Sequence, residues 1–350
     1  MSPAQRPDVL IVSLGSTEGL RVADRQLRDS LARAGARVAL ATAEPPAPTR
    51  TMMLTDLAWA RAARAAAVDA LQELRESPPK IVYSSTTAAL LWPRRGAIRF
   101  DAPSASNRPG RHGLWQRPLE RRRLGEAPLL LPWSRGALSE LPPTVASRRS
   151  EDTLVLPVSV EPSGAAESVR DIAAITYAAN PSKKGLDRVL AAWREVYADL
   201  PADGPRELVV AGAAAPDLDA AGVDIHAVPG VRVVGALAPE DYRALVRRAR
   251  VFLCAPRRED YGIAQLEALA DGCVLVSTPA PGPYAALPIA RALDPRTVGE
   301  DLQSALRIAL SDPPEDYALR ALQALEPFRR DSIDRLVAGE LLPRLLAAEA

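Results

Sequence analysis

The residues best suited to chemistry cluster in 250–288, RVFLCAPRREDYGIAQLEALADGCVLVSTPAPGPYAALP. An apolar run ends near Pro256, four charges follow in Arg257-Arg258-Glu259-Asp260, and Tyr261-Gly262 opens a segment of helical period. The first amides of a helix have no partner inside it, and the helix dipole draws negative charge to that end. Gly262 lets a bulky anion reach the amides of Ile263 and Ala264, and phosphate is the anion such a site commonly takes. Glu259 stands just before this helix and Glu267 in its second turn. Two carboxylates flanking a phosphate site suit a nucleotide sugar, because each accepts hydrogen bonds from a diol at one end of it. The competing reading of two such glutamates is a solvated loop and an ordinary helix face.

Other residues carry weaker signals. Lys183 and Lys184 precede Gly185 at a helix start, where they would either hold phosphate or form an exposed pair. Gly15 and Ser16 follow the first strand, where their amides would either touch a phosphate or an acceptor or form an ordinary βα turn. That turn is neither G-x-G-x-x-G nor a P-loop, which argues against NAD and against NTP hydrolysis. Asp101 closes the strand AIRFDA and would bind a sugar or acceptor hydroxyl, or cap its own loop. His112 lies in a loop, and His226 reads as a surface residue. Residues 108–123 hold six arginines against one glutamate, a patch for a phosphorylated acceptor, for an anionic membrane surface, or simply for water. No RRM, KH or zinc pattern accompanies Trp115 there, so nucleic acid is not an expected partner. Asp217-Leu218-Asp219 looks like a metal-binding D-x-D but sits in a polar loop, and no metal is assigned to it.

These residues need elements to position them. DVLIVSL (8–14), ARVALAT (36–42), KIVYSST (80–86), AIRFDA (97–102) and PLLLPWS (128–134) read as strands, with helices over 22–35 and 54–76 between them. After a proline-rich passage containing one short extended run, TLVLPVSV (153–160), alternation restarts. Strands are expected at 172–178, 206–212, 231–236, 250–255 and 273–278, with helices at 185–199, 239–249, 263–271 and 297–311 and a helical tail over 314–350. Strand–helix alternation implies parallel sheets covered on both faces, in two α/β domains. The expected domains are 1–160, 161–330 and a C-terminal helix, 331–350, that packs back on the first. Ligands of doubly wound domains bind at the carboxyl ends of the strands.

The whole composition agrees with this. The chain has 350 residues, 47% hydrophobic and 25% charged, enough for two ordinary cores without metal or disulfide. A net charge of +1 gives no global field toward nucleic acid. Cys254 and Cys273 sit in apolar runs and read as core residues of a reducing compartment. No apolar stretch reaches spanning length and the start lacks a signal-peptide pattern, so the expected location is cytoplasmic, peripheral at a membrane face if the arginine patch binds one.

From Glu259 to Gly272 the chain resembles retaining GT-B glycosyltransferases of the group that includes family 4, the group 1 glycosyl transferases. Their signature is a glutamate, Gly-Phe-Gly or a variant, a second glutamate after seven intervening residues, then Ala-hydrophobic-Ala-x-Gly. AITYAANPSKKGLDRVLAAW (174–193) is similar to their strand, basic loop and Lys-Gly-hydrophobic-Asp helix start. The resemblance implies a GT-B fold: two Rossmann-like domains with doubly wound parallel sheets facing a central cleft. It implies transfer of a sugar from a nucleoside diphosphate sugar, UDP- or GDP-linked ahead of others, with retention and without metal or resident cofactor. Glu259 and Lys184, with Asp101, would be catalytic. Glu267, Gly262, Ile263, Ala264, Tyr261, Lys183, Arg258, Gly235, Gly15 and Ser16 would bind the donor, Gly235 at the base pocket and Glu267 at the ribose. Ala179 stands where relatives carry a phosphate-binding arginine, so Lys183, Arg257 or Arg258 would have to compensate. A GT-B-fold nucleotide-sugar epimerase and a catalytically silent nucleotide-sugar-binding subunit stay open beside the transferase.

Overall fold

The computed structural model describes residues 6–74, 78–108, 110–147, 152–165, 169–225 and 227–348; His226 and the side chain of His112 lie outside the described set. The chain divides into two compact units, Met1–Ser159 with Phe328–Ala350, and Val160–Pro327.

The first unit holds a parallel sheet of β1 (Val9–Ser13), β2 (Val38–Thr42), β3 (Lys80–Tyr83), β4 (Ala97–Phe100) and β5 (Leu130–Pro132), in the order β2-β1-β3-β4-β5. Val9 pairs with Val38 on one side and Lys80 on the other. Alternate residues of a strand face opposite ways, and here both faces are covered. Leu10, Val12, Ile81, Tyr83, Ile98 and Phe100 pack on one side with Ala63 and Ala67 of the helix Met52–Glu73. Val9, Ile11, Val82 and Leu131 pack on the other with Leu27 and Leu31 of the helix Glu18–Arg33, and with Ile333, Val337 and Leu341 from the end of the chain. Asp334 seals that junction through two hydrogen bonds from Arg33, at 2.7 and 2.9 Å, and one from Ser30. The tail is several helices rather than one; a π-turn at Val337–Leu341 interrupts it just before Pro343.

A polar network lies fully buried in this unit. Ser13 Oγ donates to Asp24 Oδ2 at 2.5 Å, and Arg99 Nη1 donates to the Ala23 carbonyl at 3.1 Å while lying 3.8 Å from Asp24 Oδ1. Asp24 and Arg99 are 1% and 2% exposed, and the guanidinium stacks 4.9 Å from the Trp133 ring. Burial pushes the Asp24 carboxyl up, against the opposing pull of Ser13 and Arg99. The run expected as a strand over 153–160 is extended without being one. It makes a single bridge, Leu130 to Thr153, and the amides of Leu154 and Leu156 donate to the Leu130 and Pro132 carbonyls, where β5 itself ends.

The second unit holds β6 (Ile172–Tyr177), β7 (Leu208–Ala211), β8 (Val231–Gly235), β9 (Ala249–Cys254) and β10 (Val274–Ser277), all parallel, in the order β10-β9-β6-β7-β8. The chain therefore runs outward from β6 through β7 and β8, then returns to lay β9 on the free side of β6. The expected helix over 185–199 begins instead as a short turn, Pro181–Lys184, capped by Asn180, then continues as Leu186–Tyr197. The expected helix over 297–311 starts only at Leu302, where Asp301 supplies the N-cap.

Candidate active site

The reversal of strand order between β6 and β9 leaves a crevice at their carboxyl ends, flanked by the loops that follow them. Those two loops carry Lys183-Lys184 and Arg258-Glu259-Asp260. Gly185 holds them together. Its φ is +65°, and a Cβ there would fall 1.9 Å from the carbonyl oxygen of Ala255, so only glycine permits the approach. Arg257 N donates to Lys183 O at 3.0 Å beside it.

The result is three ion pairs on two adjacent carboxylates. Lys184 Nζ donates to Glu259 Oε2 at 2.6 Å. Lys183 Nζ donates to Asp260 Oδ2 at 2.8 Å, and Arg258 Nε to Asp260 Oδ1 at 2.9 Å. Both carboxylates are buried, so this is not the solvated loop that charge alone would suggest. Burial alone would raise the Asp260 carboxyl, but the two cations override it and hold it below the usual carboxylate range. Arg257 is committed elsewhere, to Asp187 at 2.8 and 2.9 Å, which leaves Lys183 and Arg258 as the cations gathered on Asp260.

Glu259 leads into the helix Ile263–Ala270, whose N-cap Gly262 has φ +88° and no side chain to occupy the terminal amides. The first helical hydrogen bond runs from Leu266 N to Gly262 O, so the amides of Ile263 and Ala264 precede the ladder. Both residues are half-buried, whereas Tyr261 is buried and its carbonyl accepts from Ala285 N. Glu267 is half-buried. Burial pushes its carboxyl up, and Arg243 Nη1, 3.3 Å away, works against that. Arg243 also donates to Asp271 at 2.7 Å and to the Glu161 carbonyl at 2.9 Å.

The second unit thus brings together Lys183, Lys184, Arg258, Glu259, Tyr261, Gly262, Ile263, Ala264 and Glu267. Gly235 stands at the end of β8, separated from β6 by β7, and its carbonyl accepts from Gly212 N at 2.7 Å. Gly15, Ser16 and Asp101 belong to the first unit, after β1 and β4. Arg21 donates to the Gly15 carbonyl at 2.8 Å, Ser16 is half-buried, and Asp101 Oδ1 accepts from Ala102 N at 2.8 Å. Sequence reasoning passed over Gln265, Asp260 and Arg243. Gln265 and Asp260 stood within the motif itself, but Asp260 meets Lys183 from 77 residues away and Arg243 meets Asp271 and the Glu161 carbonyl from 28 and 82 residues away, contacts that no local spacing reveals. Among the described residues no group of three or more His, Cys, Asp or Glu is arranged to hold a metal ion, and no helix is long and apolar enough to cross a membrane.

Comparison with known proteins gives these features a context. Residues 171–312 match the family model described as glycosyl transferases group 1. A comparison with curated protein sequences found no match. Among solved structures the chain is similar to WaaG, a glycosyltransferase involved in lipopolysaccharide biosynthesis, with a TM-score of 0.67 and 16% identity over 94% of this chain and 98% of that one. It is similar to sucrose-phosphate synthase from Thermosynechococcus elongatus, with a TM-score of 0.67 and 16% identity over 98% and 100%. A trehalose-6-phosphate structure from E. coli bound with UDP-2-fluoro glucose gives a TM-score of 0.64 and 12% identity over 97% and 99%. The chain has the GT-B fold, and its residues 171–312 are similar to the glycosyl transferases group 1 family.

Proposed function

We propose that the protein is a retaining glycosyltransferase that takes its sugar from a nucleoside diphosphate sugar, UDP- or GDP-linked, and needs no metal. The observation that carries this reading is the pairing of Lys184 with Glu259 directly before a helix whose first amides are uncapped. The diphosphate would lie on the amides of Ile263 and Ala264. Lys184, with Lys183 and Arg258 steered by Asp260, would stabilise its charge as the glycosidic bond breaks. Glu259 would take hydroxyls of the transferred sugar near the reacting carbon, and Glu267 the ribose diol. No side chain is assigned as nucleophile. The acceptor hydroxyl would attack from the face the diphosphate leaves, passing its proton to the departing phosphate. Gly235 would line the base pocket, and Gly15, Ser16 and Asp101 would serve from the first domain, 1–160, with 161–330 as the donor domain.

The acceptor is expected to be a glycan, a lipid-linked molecule or a small hydroxylated one, met in the cytoplasm. A lipid-linked acceptor has support from 108–123, where Arg121 and Arg122 are exposed and Leu114 is 64% exposed. Sedimentation with anionic vesicles, lost in high salt, would test that contact.

A thermal-shift panel with UDP, GDP, ADP and dTDP, with and without EDTA, tests the donor site. A ligand at about 100 times its Kd adds roughly 2.7 kcal/mol of stability. A shift with one diphosphate, indifferent to EDTA, supports the reading and names the base. Turnover of the matching sugar nucleotide with release of free diphosphate then separates transfer from epimerisation, and binding without turnover would leave a silent subunit.

A further inference from the structure

Gln265 is 2% exposed, and its two amide atoms are treated very differently. Nε2 donates to Glu259 Oε2 at 3.0 Å, while Oε1 is buried with no hydrogen-bond partner. Gln265 is the third residue of the helix Ile263–Ala270, the position from which a glutamine ordinarily reaches back to the backbone amide at the N-cap. It does not do so here. An amide turned toward a carboxylate, with its own acceptor left orphaned in the interior, carries a cost that helix capping would have avoided. Glu259 Oε2 is held by two donors, Lys184 Nζ and Gln265 Nε2, and Oε1 of Glu259 makes no hydrogen bond or ion pair among the described residues.

We infer that Gln265 is the positioning residue of Glu259, the anchor that stays in place when Lys184 swings to the donor diphosphate; the inference rests on the functional reading above. Lys184 is a flexible point charge with two prospective partners, the carboxylate and the incoming phosphate. When it leaves, Glu259 would be a buried carboxylate without a donor unless a neutral, packed side chain retained it. Gln265 meets that need because its amide has no competing attraction to phosphate oxygen while Nε2 faces Glu259. The orphaned Oε1 then follows from the orientation that Glu259 imposes.

The test is Gln265→Met, which keeps the length of the side chain and removes both amide atoms. Diphosphate-induced thermal shifts are expected to stay as in the wild type, KM for the donor to change little, and kcat to fall about tenfold to hundredfold. A kcat within about twofold of wild type, in a variant that binds diphosphate normally, would overturn the inference without touching the broader reading. A wild type that turns over no sugar nucleotide would instead sink the broader reading. A ligand-free arm covers that case: the melting temperatures of K184M, Q265M and the double variant. The double is expected to lose more than the sum of the singles, since Glu259 is then left without either donor. Strict additivity would show that the two side chains do not share the task and would overturn the inference.

Discussion

The two sheets reverse strand order once each, the first between β1 and β3 and the second between β6 and β9, and the two places are built in opposite ways. Around the first, Leu14 N donates to Ser84 Oγ at 3.1 Å, Ser13 binds Asp24, and Asp24 and Arg99 are closed off from water. Around the second the carboxylates are also buried, but their cations reach outward, the Lys183 side chain being 43% exposed and that of Lys184 21%. Charges sealed on all sides have only each other to answer to, and serve to fix the fold. A buried carboxylate whose cation touches solvent can exchange that cation with an arriving anion at modest cost. Topology therefore supplies two crevices, and the depth of the cations decides which is available for chemistry.

The largest expected effect would break the sealed side. Arg99→Met strands Asp24 in the interior and should cost about 3 kcal/mol of folding stability in denaturant titration, with diphosphate binding by the folded protein unchanged. Glu259→Ala should act the other way round. Turnover should fall about 100-fold or more while the melting temperature moves little, since the site holds its charges for function rather than stability. Retained turnover would remove Glu259 from the reacting centre.

Asp260→Asn comes next and probes both roles together. Freed from their shared carboxylate, Lys183 and Arg258 should hold diphosphate about tenfold less well, near 1.4 kcal/mol. The acid limb sharpens the contrast. The Asp260 carboxyl is held below the ordinary range, so its contribution is present at neutral pH and lost as pH falls through its folded value. The Asp24 carboxyl is raised by burial, so its contribution is full at low pH and lost as pH rises through its folded value. Melting curves across pH should therefore flatten below the ordinary aspartate pKa for Asp260→Asn and above it for Asp24→Asn. Parallel changes in the two variants would erase the distinction drawn between the crevices. The smallest effect belongs to Arg257→Ala, an exposed pair with Asp187 worth about 0.5 kcal/mol at most.

Much of this was legible in the chain. The strand runs DVLIVSL and IAAITYA are nearly continuous and apolar because these parallel strands are covered on both faces, and each lies within a residue or two of its place. The motif from Glu259 to Glu267 was legible for a local reason: strand exit, left-handed glycine and helix start occur within a few residues, so their spacing is a spacing in space. Elements without a local signature fared less well. The run at 153–160 has strand composition, yet β5, the strand beside it, ends at Pro132 and leaves it a single bridge. The start of the helix at Leu302 depended on a cap, Asp301, set within a longer helical pattern.

What the sequence determined by itself is the alternation of strand and helix, the parallel sheets it enforces, and a helix N-terminus flanked by two glutamates. Those follow from hydrophobic period, from turn chemistry and from the backbone's uncapped amides, all of which act over a few residues. Only the tertiary structure decided that β9 returns to lie beside β6 rather than continuing past β8, and so that Lys184 meets Glu259 from 75 residues away. Strand order is set by which buried faces pack best, a property of the whole unit. The partners of a buried charge, and the burial that shifts its protonation, exist only once that packing is complete.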